Sequence, residues 1–343
     1  KENNYNKDLR NKFLNYLKFS NKKEEFYNLI LSKIFPKIYV EDFESIAEMY
    51  QKSFPMAKTY ITSNYFQPNH KRILLNILKQ KKVDIFLVQH GGFYGVGLNT
   101  KEVIASPEQV EKNLSKNYLT WGWNDSPKDL IFTSRFPSKK IQISKTNKIL
   151  FCSNLSTTYL SRQFHQPRTM MDSLETIDYV NQTAKFLKNR NHKLTLRYLS
   201  IIENSGNMIN KKLYVKNLTF DEGKSNLIDE LKKYKLVIHE NLLSTAFLET
   251  LSYEFPTLIL MSKYDDLYLR KKFKPEISKL KRANIVHSNF KSLKNFLDKN
   301  LENIESWWES EKNKKIVKNF KNKYAHYDKE GEKIIKKICL QHK

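Results

Sequence analysis

Glycine is scarce in this 343-residue chain, at eight residues, and cysteine is scarcer still, at two. Cys152 and Cys339 lie far apart in sequence and suggest neither a disulfide framework nor zinc-ligand spacing, so a reducing compartment is expected. Neither H-E-x-x-H nor C-x-x-C occurs, the histidines show no metal-ligand spacing, and no metal is expected. No apolar run approaches the roughly 20 residues needed to span a bilayer, and no signal-peptide pattern is recognisable. Internal repeats of roughly 20–50 residues are missing as well. Acidic residues are in short supply: 36 against 61 basic ones, for a net charge of +25. Such a surface attracts anions, whether nucleic acid, acidic lipid or phosphorylated substrate, although a compositional bias toward lysine explains much of the charge equally well. Basic residues spread along the whole chain without an RRM, KH, helix-turn-helix or zinc-finger signature, so nucleic acid is not the expected partner.

What is present is a folded protein. Apolar residues make up 40%, with 21 Phe and 19 Tyr, and the length allows two domains with sizeable cores. Lys7 to Ile34 carries apolar residues at helical spacing, Glu44 to Met49 reads as a short helix, and Lys58 to Ser63 as a strand. A helix from His70 to Lys81 and a strand from Val83 to Val88 complete a β-loop-α-β pattern. Pro107 to Tyr118 reads as a helix capped by Ser106, and Leu130 to Thr133 as a short strand. Alternation then restarts with strands Lys148 to Cys152, Lys193 to Tyr198, Leu236 to His239 and Thr257 to Met261. Helices Met171 to Asn189, Leu227 to Lys233 and Ser244 to Glu254 separate them. The expectation is an α/β protein of two doubly wound domains meeting at a cleft. We place them at residues 1–143 and 144–300, followed by basic helices over 301–343 that pack back across the domains.

Four of the eight glycines fall within seven residues, in VDIFLVQHGGFYGVG. The run ending at Val88 reads as a buried parallel strand, which puts His90 at the carboxyl end where α/β proteins bind ligands. There a histidine acts as general base or, when protonated, as a phosphate contact. Gly91 and Gly92 leave backbone N–H groups free for an anion. The alternative is a tight turn around a buried, hydrogen-bonded histidine. Neither a Walker loop nor a dinucleotide fingerprint fits the spacing.

A second site lies in KYKLVIHENLLSTAFLETLSYEFPTLIL. The strand ending at His239 leads through Asn241 into a helix opening with Ser244 and Thr245, whose free N–H groups and positive dipole end suit a phosphate, so His239, Asn241, Ser244 and Thr245 are candidates for binding the donor phosphate. Glu249, one turn on, is placed to accept a ribose or sugar hydroxyl. Ordinary helix capping by Ser244, with a solvated Glu249, is the alternative. Arg162 and Arg168 follow one strand and Arg197 lies near the end of another, on the same expected rim; they are candidates for bidentate phosphate contacts, with a surface ion pair the alternative for any one of them. Tyr94, Trp121 and Trp123 are candidates for stacking on substrate, although the tryptophans fit a core equally well. The basic C-terminal segments Lys312 to Lys323 and Lys333 to Lys337 carry Ile316, Phe320, Ile334, Ile335 and Ile338 at helical spacing. They suit either an acidic membrane surface or a helix packed on the protein.

QHGGFYG, the TWGW loop and HENLLSTAFLETLSYEFPT, in that order, resemble a group of bacterial transferases encoded in O-antigen and other surface-polysaccharide loci. More distantly the arrangement looks like the glycerophosphotransferases of teichoic-acid synthesis and the capsule Kdo transferases. The resemblance covers roughly Lys58 to Met261. It implies a GT-B architecture, with His90 matching the N-terminal-domain histidine and Ser244, Thr245 and Glu249 the donor-binding helix. The teichoic-acid enzymes carry a proline and a lysine after His-Gly, where this chain has Gly92, Phe93 and Tyr94. That departure favours a nucleotide-activated sugar, such as a CMP-linked nonulosonate or Kdo, over a glycerophosphate donor. The expected protein is a glycosyltransferase with no cofactor beyond its nucleotide-sugar cosubstrate. Its acceptor is a saccharide or lipid-linked saccharide, and its place the cytoplasm, at the inner face of the cytoplasmic membrane. A CDP-polyol phosphotransferase is the alternative within enzymes, and a basic nucleic-acid- or membrane-binding protein the alternative outside them.

Overall fold

The computed structural model describes residues 6–15, 26, 30, 33–53, 57–63, 69–97, 107–153, 170–198, 211–216, 218–263 and 269–340. Contacts divide the chain into two compact units, one of Lys1–Val88, Val110–Tyr118 and Lys336–Lys343, the other of Gln89–Gln109 and Leu119–Ile335.

In the first unit, helices α1 (Lys7–Asn15) and α2 (Phe43–Ser53) precede strand β1 (Thr59–Ser63), helix α3 (Asn69–Gln80) and strand β2 (Asp84–Val88). The strands pair in parallel, from Thr59 opposite Asp84 to Ser63 opposite Val88. Helix α3 forms where the apolar spacing predicts it: Ile73, Leu74, Ile77 and Leu78 are all buried, and Ile73 and Ile77 pack with Ala47 of α2. Arg10 of α1 is paired with Glu41, just before α2, at 2.6 Å.

The second unit holds a six-stranded sheet of β5 (Lys148–Ser153), β6 (Lys193–Tyr198), β7 (Thr219–Asp221), β8 (Leu236–His239), β9 (Thr257–Leu260) and β10 (Val286–His287). The strand order is β10-β9-β8-β5-β6-β7, and every pairing is parallel. β8 and β9 are buried along their whole length and β5 all but its first residue, as strands covered on both faces must be. Numbered within the sheet, this is the doubly wound 3-2-1-4-5-6 order, and its topological switch point lies between β5 and β8. Helices α5 (Met170–Lys188), α6 (Leu227–Leu231), α7 (Thr245–Ser252), α8 (Lys274–Arg282) and α9 (Phe290–Asn300) alternate with or follow the strands.

Two expectations shift. The helix that starts at Pro107 ends at Leu114 (α4), because Asn117–Thr120 forms strand β3, in which Tyr118, Leu119 and Thr120 are buried. The short strand near Leu130 is β4, Asp129–Ile131. The C-terminal region is helical as expected, in α10 (Ile304–Trp308), α11 (Glu311–Tyr324) and α12 (Gly331–Leu340). The apolar face of α11 is used within the protein: Val317, Phe320 and Tyr324 are buried, and the Phe320 ring lies 5.8 Å from Phe247 of α7. That face is therefore not available to a membrane.

Candidate functional site

Strand β2 ends at Val88, and the next residue, Gln89, uses its whole side-chain amide to fix the glycine loop. Its Oε1 accepts from the Trp121 backbone N–H and from Trp123 Nε1, each at 2.8 Å, while its Nε2 donates to the Gly91 carbonyl at 2.9 Å. Trp121 and Trp123 are each 2% exposed, so they frame the loop from within the core. Tyr94 is 3% exposed, and its hydroxyl lies 3.3 Å from His90 Nε2. These three aromatics position the loop and its histidine instead of stacking on substrate. His90 itself is half-buried, with its ring edge-on to Tyr94 at 4.9 Å.

The far side of the loop is stapled by a charge pair that the sequence did not reveal. Arg270 donates from Nε to the Gly97 carbonyl at 2.8 Å and from Nη1 to Asp125 at 2.9 Å, and pairs through Nη2 with Glu108. Glu108, with its side chain 1% exposed, also accepts from the Gly95 N–H at 3.0 Å. Gly95 has φ +76°, and a Cβ there would lie 2.7 Å from the Trp123 ring, so no other residue fits.

The loop and the second site meet directly. The Gly92 N–H donates to Thr245 Oγ1 at 3.0 Å, and a Cβ on Gly92 would lie 2.8 Å from the Ser244 carbonyl oxygen. Glycine is thus what lets one backbone rest on the other. Ser244 caps α7, accepting from the Ala246 N–H at 3.2 Å, and Asn241 Oδ1 closes the preceding turn by accepting from the Leu243 N–H at 3.0 Å. Glu249 lies part-buried one turn into α7. Desolvation pushes its carboxyl above the ordinary carboxylate range, and the charges of Arg135 and Arg197 act in the opposite sense.

Two other expected phosphate ligands have different duties. His239 is 1% exposed, and burial drives its imidazole down to about 3, so it is neutral. Its Nε2 lies 3.0 Å from Thr250 Oγ1, which donates to the Phe247 carbonyl, so Nε2 is the donor and His239 locks α7 onto β8. Arg197 pairs through Nη1 with Asp221 at 2.6 Å and donates from Nη2 to the Ser225 carbonyl, fixing the chain after β7. Arg162 and Arg168 lie outside the described residues. At the switch point itself stands Glu240, which as His239-Glu240 makes no metal site on its own: 2% exposed, it accepts from Ser153 Oγ at 2.6 Å, joining the ends of β8 and β5. The pair His239-Glu240 directly after the apolar run Leu236 to Ile238 was the available signal. Among the described residues, no group of three His, Cys, Asp or Glu side chains is placed to hold a metal. No helix there is long and apolar enough to cross a membrane.

The sheet is all-parallel and doubly wound, and the histidine-glycine loop rests on a helix start beyond its strand ends, the edge where α/β proteins of this topology bind ligands. Residues 1–338 match the LIC12162 family of transferases, and the chain belongs to that family. No curated protein matches it significantly. Among solved structures, S. aureus MnaA, determined with UDP, is similar with a TM-score of 0.50 at 10% identity, over 88% of this chain and 78% of that one. A glycosyltransferase from Rickettsia africae gives 0.49 at 12% identity, over 95% and 84%. The wall teichoic acid polymerase TagF, soaked with CDPG, gives 0.43 at 14% identity, over 87% and 85%. The fold is GT-B-like and the protein is a transferase.

Proposed function

We propose that the chain is a glycosyltransferase that moves a sugar from a nucleotide-activated donor to a surface-saccharide acceptor. The observation that carries the reading is the contact between the Gly92 N–H and Thr245 Oγ1, which brings the His90 loop to the N-terminus of α7. The donor diphosphate or phosphate sits beside that helix start, where the positive dipole end and the Thr245 and Ser244 hydroxyls compensate its charge. Glu249, one turn further, takes a hydroxyl of the donor. His90 accepts the proton of the acceptor hydroxyl as its oxygen attacks the anomeric carbon. The bond from that carbon to the phosphate oxygen breaks, and the nucleotide leaves with the electron pair. Tyr94 sets the imidazole orientation through His90 Nε2. A CMP-linked acidic sugar is the donor class that the departure at Gly92-Phe93-Tyr94 favours, and the basic surface suits an acceptor held near acidic lipid.

A thermal-shift screen with CMP, CDP, UDP, GDP and their sugar conjugates tests this. A nucleotide at 100 times its dissociation constant stabilises the folded state by about 2.7 kcal/mol. One nucleotide should stabilise the protein selectively, and Thr245→Val should diminish the shift. His90→Ala should keep the shift and abolish transfer. A His90→Ala protein that still transfers sugar overturns the assignment of the base, and a product joined by a phosphodiester overturns glycosyl transfer.

A further inference from the structure

Helix α7 has a second functional end. At its C-terminus a cavity of about 390 Å³ opens between Ser252 and Glu254, the segment around Phe136 and Ser138, and helix α11. The eight residues of α7 span about 12 Å, so this cavity is separate from the Thr245 end where the glycine loop sits. We propose that it binds a sugar carrying one anionic group, a phosphate or a carboxylate.

The wall supplied by α11 is cationic. Lys314, Lys318 and Lys321 recur at the spacing that puts them on one helix face, and all three line the cavity. Two carboxylates face them, and both are already neutralised. Glu254 takes Lys321 Nζ at 3.1 Å, and Glu309 takes Lys140 at 2.9 Å and Lys314 at 3.3 Å. Lys318 has no ion-pair partner among the described residues, and it is the charge left over for a ligand.

The remaining lining suits a sugar ring better than a bare ion. Phe136 and Trp308 border the cavity from the core, with Trp308 Nε1 donating to the Glu254 carbonyl at 2.8 Å, and Tyr327 is 37% exposed among the lining residues. Tyr327, the exposed aromatic of the lining, offers its ring to the C–H face of a pyranose, and side chains such as Asn322 and Ser138 supply hydrogen bonds to hydroxyls. Lys321, 9% exposed, is fixed by Ser138 Oγ at 3.0 Å and by Glu254, so this floor is preorganised. A cavity of this size holds one or two sugar rings. Nothing in the proposed transfer reaction requires it.

Calorimetric titration of the full chain with glucose 6-phosphate and with N-acetylneuraminic acid separates the phosphate source from the carboxylate source. Glucose and inorganic phosphate serve as ring-only and charge-only controls. At least one acidic sugar should bind at one site per chain, roughly tenfold or more tighter than either control. Lys318→Glu should weaken it roughly tenfold or more, the scale of one charge-assisted hydrogen bond. That variant removes no contact within the protein, so its melting temperature should match the parent. His90→Ala should bind the sugar unchanged. The proposal fails if neither acidic sugar saturates, if inorganic phosphate binds as well as the sugars, if Lys318→Glu binds like the parent, or if His90→Ala abolishes binding.

Discussion

Gly91 and Gly92 are adjacent, yet alanine should act on them with opposite sign. A Cβ at Gly92 would lie 2.8 Å from the Ser244 carbonyl oxygen, 2.9 Å from its carbon and 3.0 Å from the Thr245 nitrogen. These are backbone atoms at a helix start, so no rotamer change relieves the overlap. Restoring an ordinary separation of about 3.5 Å at the 2.8 Å contact requires the loop to move away by roughly 0.7 Å. That displacement stretches the Gly92–Thr245 hydrogen bond from 3.0 Å beyond bonding range. Overpacking of this kind costs about 1–3 kcal/mol and the lost hydrogen bond about 0.5–1.5 kcal/mol, so Gly92→Ala should destabilise by about 2–4 kcal/mol. At Gly91 the nearest atom to a Cβ is Thr245 Oγ1 at 3.6 Å, an ordinary contact. Gly91→Ala should therefore be neutral, or stabilising by about 0.4–1 kcal/mol through the unfolded chain. Urea denaturation followed by tryptophan fluorescence measures both, because Trp121 and Trp123 are hydrogen-bonded to the loop's anchor. Equal stabilities for the two variants would refute the close approach of loop and helix, and with it the site as assembled here.

Arg270→Leu leaves the Glu108 carboxylate buried without its guanidinium and should cost about 3–5 kcal/mol. Adding Glu108→Gln should recover much of that loss, and a denaturation-based double-mutant cycle checks it. Glu249→Gln should raise the donor KM more than it lowers kcat. Because burial raises the Glu249 carboxyl, donor affinity in the parent should climb with pH through a range above that of an ordinary carboxylate, and the variant should lose this dependence. The hydrogen bond from Arg10 holds Glu41 down to about 2 against an ordinary 4.5. Its stabilisation is fully present above 4.5 and is lost as pH falls toward 2, so acid titration of Glu41→Gln should show a flatter loss over that window.

The strands of the six-stranded sheet are legible because parallel strands covered on both faces need continuous apolar runs, and LFC, LVI and LIL supply them. The two halves of the site are legible for local reasons, a glycine cluster after one strand and a capped helix after another. What holds the halves together is not local. Gly92 and Thr245 are 153 residues apart, and Glu108 and Arg270 are 162 apart. No window of sequence reports such a pairing. The same limit explains Arg197 and His239. A strand-end arginine and histidine look alike whether they face a ligand or a partner within the fold, and Asp221 and Thr250 decide the matter only once the chain is folded.

Charge was the least readable feature, and α11 shows why. Its lysines suggest a surface for an acidic partner, yet several are ties within the protein. Lys312 donates to the Arg282 carbonyl, Lys323 pairs with Glu276, and Lys321 reaches Ser138 and Glu254. Phe320 on the same helix packs against Phe247, so α11 fixes α7 from behind while the glycine loop meets it from in front. One eight-residue helix thus carries the proposed donor site at its N-terminus and borders a cationic cavity at its C-terminus. The net charge of the chain says nothing about which of these ends an anion prefers. Their geometry does: a helix start with the Ser244 and Thr245 hydroxyls at the first, and a lysine without an ion-pair partner among the lining residues of a cavity at the second.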